Sequence, residues 1–161
     1  MDTSIVCGVD GSPGADAALA VAARLAERLE RRLVLVHVAE PVLTPYAHAA
    51  PFGGMSPAGA LAVEEQTAAQ REAGERLLER AAGAADIEVA EQRVAIGAAA
   101  ERLADIAAEE AAELIVVGSR GRGALRAAFL GSVSSTLAGI ARCPVLIVPP
   151  GFERRLHRDG P

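Results

Sequence analysis

The sequence predicts an α/β protein, one domain in which five parallel strands alternate with helices. Three observations carry that expectation. Short apolar runs rich in β-branched residues recur along the chain, too uniformly apolar to leave a solvent face, as central parallel strands covered on both sides are. Between them lie segments with the three- and four-residue spacing of amphipathic helices. The chain has 161 residues, 51% of them hydrophobic, enough for one core without disulfides or metals.

The first strand is Ser4 to Val9, and it stops at Asp10-Gly11-Ser12-Pro13, a turn in which Ser12 can N-cap a helix whose first position Pro13 fills. Ala18, Val21, Leu25 and Leu29 mark the apolar stripe of that helix. Leu33 to Val38 forms the second strand. His37 interrupts it with no Ser, Cys or carboxylate at a recognisable spacing, so it reads as a structural residue. From Glu40 to Pro57 the composition turns to Pro, Gly and isolated aromatics, a long loop that fits a lid over a site and a plain linker equally. Ala58 to Ala85 is one long helix with Leu77, Leu78 and Ala81 on its apolar side. Ile87 to Val94 alternates apolar and charged residues, a partly wet strand near the sheet's edge. Ala99 to Ala112 is the third helix, with Leu103, Ile106 and Ala107 facing inward, and Leu114 to Val117 the central fourth strand. A helix from Ser132 to Ala141 and a strand from Pro144 to Val148, stopped by Pro149-Pro150, complete the order. Strands joined by helical crossovers imply a parallel, doubly wound sheet with right-handed connections.

Aromatics make up 2% of the chain, so the core is built from Val, Leu, Ile and Ala. A net charge of −5 and a pI near 5.2 argue against a surface for nucleic acid or membranes. Without a basic leader or 18 uninterrupted apolar residues, the chain is expected to be cytoplasmic. Cys7 and Cys143 form neither a Cys-x-x-Cys pair nor a metal cluster and read as reduced packing residues.

The chemistry concentrates between Leu114 and Ser135. Gly118, Gly121 and Gly123 follow the fourth strand and let the backbone approach a ligand. Gly131-Ser132 then opens a helix, setting a hydroxyl and unpaired amides at its positive end, where an anion belongs. Gly-x-Gly-x-x-Gly is absent after the first strand and Gly-x4-Gly-Lys-Ser/Thr is absent altogether, which disfavours a standard dinucleotide fold and a P-loop.

The spacing Gly118-x2-Gly121-x9-Gly131-Ser132 resembles the universal stress protein family in its ATP-binding branch, and the likeness runs from Ile5 to Val148. The resemblance implies a five-stranded sheet of order 3-2-1-4-5, adenine nucleotide alpha hydrolase-like, with a nucleotide-binding domain over residues 1–150 and a polar tail over 151–161. It implies ATP as the ligand, with or without Mg2+. On that likeness Asp10 lies against the adenosine, a role that an Asx-type cap on its turn matches equally well. The backbone of Val38 recognises adenine, and Gly97 matches the small residue ending the third strand. Gly118, Gly121, Gly131 and Ser132 wrap the ribose and phosphates, with the Val133 amide beside them. Arg120, Arg122 and Arg126 stand in the variable spacer, where phosphate contact and a solvated loop surface explain them equally. Alanines at Gly118 and Gly131 are expected to spare the fold while removing the ligand.

No general base stands near the expected γ-phosphate, so the resemblance points to a nucleotide-dependent regulatory protein of the stress response, not an enzyme, with at most slow ATP hydrolysis. It offers no catalytic residue and no metal ligand. Two alternatives share the fold: a dimeric interaction module that binds no nucleotide, and a slow ATP hydrolase. The family's homodimer through the fifth strand is also implied, since an apolar edge at Val145 to Val148 needs a cover. Its seam would be Val145 and Ile147, or Leu146 and Val148. A downstream protein partner follows from a regulatory role, and nothing in the sequence says which.

Overall fold

A strand sends successive side chains to opposite faces, and here both sets are apolar. In β1 (Ser4–Gly8) Ile5 and Cys7 enter one core and Val6 the other; in β2 (Arg32–Ala39) Leu33 and Leu35 go one way, Val34 and Val36 the other. With β3 (Glu91–Ile96), β4 (Ala112–Gly118) and β5 (Val145–Val148) they form a five-stranded parallel sheet of order β3-β2-β1-β4-β5. The first core is closed by α1 (Pro13–Leu29) and α2 (Pro57–Ala84), the second by α3 (Ala99–Glu109) and α4 (Ser132–Ile140). This is the doubly wound sheet expected from the sequence. The computed structural model describes residues 3–41, 57–85, 87–121 and 130–152. Residues 42–56 of the long loop and nearly all of the tail fall outside them.

Local signals set the helix positions. Ser12 caps α1 by accepting the Ala15 amide at 3.2 Å, and Pro13 holds the first helical position. The buried side of α1 is mostly alanine, which lets the helix lie close to the sheet. Leu29, expected on its stripe, is 47% exposed: it is the last helical residue, and Glu30 turns the chain away in a left-handed cap. In α2 only Gly74 and Leu78 are buried. A Cβ at Gly74 would lie 2.9 Å from the His37 ring and from a Val94 methyl. That ring is held by a 2.8 Å hydrogen bond from Nδ1 to the Val9 carbonyl, which can only accept. His37 is thus a satisfied structural residue.

The third strand differs from its expected bounds. Ile87 and Val89 pack on the first core, but the ladder with β2 begins only at Glu91, opposite Val34, and runs on to Ile96. Alternation reported which side chains pack, not which peptide groups pair. Phe152, assigned to the polar tail, packs against the same core after a turn closed by its amide on the Pro149 carbonyl. Burial pushes the Cys7 thiol up to about 12, which keeps it protonated and inert. Among the described residues no helix is long and apolar enough to cross a membrane.

Leu78 is the one large side chain by which α2 reaches full burial. Leu78→Ala should therefore lower stability by about 2–5 kcal/mol, seen as an earlier urea midpoint. Leu61→Ala, at a side chain 61% exposed, should change it by about 0.5 kcal/mol or less; equal effects would show that Leu78 does not anchor the helix.

Candidate functional site

Strand order reverses at β1, whose neighbours are β2 on one side and β4 on the other. Loops leaving the carboxyl ends of β1 and β4 part there, and the crevice between them is where open α/β sheets take ligands. A cleft of about 880 Å³ occupies that place. It brings together Asp10, Val38, Gly118, Arg120 and Gly121 with Gly131, Ser132 and Val133. Three separate stretches of sequence converge on one hollow.

The loop after β4 is held by backbone. The first turn of α1 passes so close that a Cβ on Gly118 would lie 2.6 Å from the Gly14 carbonyl carbon, and one on Gly14 would lie 2.6 Å from the Arg120 carbonyl oxygen. The Ser12 hydroxyl donates to the same Arg120 carbonyl over 3.5 Å. Ser119 donates its amide to the Val148 carbonyl at 2.8 Å and accepts the Gly131 amide at 2.7 Å, so the two ends of the spacer are tied together. Gly118 is thus required first by the packing of α1, and the expectation that an alanine there spares the fold is corrected.

The two oxygens of the Asp10 carboxylate face different neighbours. Oδ1 accepts the Ser12 amide at 2.9 Å, the Asx-type turn weighed from the sequence. Oδ2 faces Gly121, where a Cβ would lie 2.5 Å from it. At the other side of the loop Gly131 N-caps α4 with φ −67°, a conformation open to any residue. The Ser134 hydroxyl donates back to the Gly131 carbonyl at 3.0 Å. The first-turn amides of α4, Ser132 to Ser134, have no acceptor within the helix and carry its positive pole to the cleft.

Gly97 does not line the cleft. It sits at φ 145° just past β3 and donates its amide to the Ala39 carbonyl at 3.0 Å, one residue beyond Val38. Arg122, like Gly123 and Arg126, lies outside the described residues. Sequence reading missed the side walls: Gln70 and Ala73 from α2, and Ala99 and Leu103 from α3. The Gln70 amide donates to the Glu40 carbonyl at 3.0 Å. Nothing marks Gln70 in sequence, where it is one polar residue on a polar helix; Leu103 was read as core and serves core and cleft alike. A second hollow of about 750 Å³ separates α1 from α2, floored by Leu19, Ala23, Leu77 and Ala81. It has neither a helix amide pole nor a ring of strand ends.

The cleft is therefore two-ended. One end offers aliphatic walls (Val9, Val36, Val38, Val117) and strand peptide groups; the other offers unpaired amides beside Arg120. Such a hollow suits a molecule with a flat apolar part and an anionic part.

Comparisons with known proteins agree with this architecture. The family model described as the universal stress protein family matches residues 1–149. A universal stress protein of Thermus aquaticus, encoded in a QAH/OAS sulfhydrylase 3' region, is 34% identical over 148 residues, covering 92% of this chain and 99% of the relative. The chain spans about half the length (50%) of a Mycolicibacterium smegmatis relative to which it is 33% identical. Among solved structures, a universal stress protein in complex with cAMP is 25% identical with a TM-score of 0.60, covering 92% of this chain and 98% of that one. The Archaeoglobus fulgidus universal stress protein in complex with dAMP is 23% identical with a TM-score of 0.57, covering 92% and 99%. A five-stranded parallel sheet of order 3-2-1-4-5 with four helices matches the adenine nucleotide alpha hydrolase-like fold of these proteins. The chain belongs to the universal stress protein family.

The two glycines should respond differently to an added methyl group. Gly118→Ala must displace the first turn of α1 and should destabilise the fold by about 1–3 kcal/mol, as overpacking does. Gly131→Ala meets its nearest atom at an ordinary 3.4 Å and should shift the thermal midpoint little. Equal shifts would contradict the close approach at Gly118.

Proposed function

We propose that this chain binds an adenine nucleotide, ATP in the first instance, in the cleft between the β1 and β4 loops, and that occupancy of the cleft is a regulatory signal in a stress response. The observation that carries this reading is the convergence of the Asp10 turn, the Val38 backbone and the α4 amides on one two-ended hollow. Adenine would lie between aliphatic walls against the Val38 amide and carbonyl, the ribose near Asp10. The phosphates would run across Gly121 and Gly131 to the Ser132 and Val133 amides, with Arg120 adding charge. Mg2+ would arrive with the phosphates: among the described residues no group of three or more His, Cys, Asp or Glu side chains is placed to hold a metal by itself. Relatives solved with cAMP and dAMP support an adenine nucleotide as the ligand class. Turnover would be slow at most, because Asp10 would stand at the ribose and not beside the γ-phosphate, where hydrolysis needs a positioned water.

A test must spare Gly118. Gly131→Asp suits it, since aspartate is a preferred N-cap in the extended conformation that Gly131 adopts, while its carboxylate would repel phosphate at the amide pole. Calorimetry should show ATP binding to the intact chain and at least about a tenfold loss in the variant, about 1.4 kcal/mol, with unchanged circular dichroism. An intact chain that binds no adenine nucleotide, or a variant that binds as well, would overturn the reading.

The sheet edges support a homodimer through β5. The β3 edge is charged: Arg93 pairs with Glu91, Glu109 and Glu110 at 3.8, 2.7 and 3.0 Å. The β5 edge is Val-Leu-Ile-Val, paired among the described residues with β4 only, with Val145 and Ile147 on the α4 face and Leu146 on the α1 face, each half-buried. A second copy set antiparallel would cover it. Light scattering at micromolar concentration should give twice the chain mass of 16.5 kDa; the single mass would refute the dimer.

A further inference from the structure

We propose that Gln70 selects the base, its side-chain oxygen accepting a hydrogen from the 6-amino group of adenine held at Val38. This rests on the adenine-nucleotide reading above and assigns a specificity residue to it. Gln70 reaches the cleft wall from α2, one turn before Ala73, which lines the same wall. Its Nε2 donates to the Glu40 carbonyl at 3.0 Å. A carbonyl can only accept, so the orientation of the amide is fixed, nitrogen toward Glu40 and oxygen away from it. That oxygen, Oε1, is closed to water and receives no hydrogen bond. Buried side-chain oxygens without a donor are uncommon in folded proteins, and each calls for a reason.

A ligand donor supplies one. Glu40 follows Val38 by two residues, and both line the cleft, so an amide anchored on Glu40 stands beside the edge of the base that Val38 would read. The terminal torsion of glutamine is broad, so a turn of the amide plane in answer to a ligand donor presents Oε1 to the cleft. Adenine presents two hydrogens on its 6-amino group: the Val38 carbonyl takes one and Gln70 the other. Guanine and hypoxanthine carry an oxygen at that position, which would set acceptor against acceptor. Inverting the amide to suit them would press Oε1 onto the Glu40 carbonyl instead. The neighbouring His37 ring cannot take this role through Nδ1, which is committed to Val9.

The test compares ATP with purine riboside triphosphate, which keeps the N1 acceptor and lacks the 6-amino group, on the intact chain and on Gln70→Met. Methionine is a good helix former of similar length, and Gln70→Ala provides a second, smaller variant; circular dichroism checks both. The intact chain should prefer ATP, and each variant should shrink that preference by about three- to tenfold, the worth of one neutral hydrogen bond. An unchanged ratio in variants that still bind ATP would overturn the role of Gln70 and leave the nucleotide site standing. Failure of the intact chain to bind ATP would overturn both.

Discussion

The first turn of α1 lies on the end of β4 with no side chain between them, and the shape of the cleft depends on that contact. Gly118 leaves room for the Gly14 carbonyl and Gly14 for the Arg120 carbonyl, and a Cβ on either would push the two segments apart. Because they touch, the Ser12 hydroxyl reaches both the Ala15 amide and the Arg120 carbonyl, so one serine caps the helix and steadies the loop. The Asp10 carboxylate then fits beneath Gly121. A cleft at the end of an open sheet is only as well defined as the loops that border it, and here two of those loops are one packed unit.

Small side chains make the same economy possible across the sheet. With almost no aromatics, closeness replaces bulk: α1 buries mostly alanine and α2 approaches β2 and β3 through Gly74. Dense packing of small groups raises dispersion contact per unit volume. It also leaves the base-facing end of the cleft walled by small aliphatic side chains, Val9, Val36, Val38 and Val117. At the opposite end of the strands the chain is tied by charge, with Arg31 on Glu113 at 2.9 Å and Arg32 bridging Glu91 and Glu110 at 3.7 and 3.6 Å. Such half-exposed pairs contribute little individually, but together they fasten the starts of β2, β3 and β4 well away from the site.

Much of this was legible because the signals are local. The Ser12-Pro13 start of α1, the uniformly apolar strands and the opening of α4 at Gly131-Ser132 each depend on a few adjacent residues and stand where the sequence put them. The strand order came from family likeness, not from the residues' own chemistry. What stayed hidden was tertiary. Glycine at 118 looks the same in sequence whether a ligand or a helix passes over it, and only the position of Gly14 decides. Gln70 has no local mark because its partner is the Glu40 carbonyl, 30 residues away. The start of β3 was misplaced for a related reason: Ile87 and Val89 pack like strand residues, but the backbone meets β2 only from the Ala90 amide on the Leu33 carbonyl onward, and the ladder runs from Glu91.

The bond from the Gly131 amide to the Ser119 carbonyl has an evolutionary consequence. It closes the mouth of the spacer, so the start of α4 is tied by a backbone bond to the residue that follows β4. Closing a longer loop across a fixed mouth costs little, about 0.6 kcal/mol for each doubling of length. A change of length between Gly121 and Gly131 is therefore a small energetic burden on the fold. The same seal makes this a place where foreign sequence could be grafted with the sheet left undisturbed.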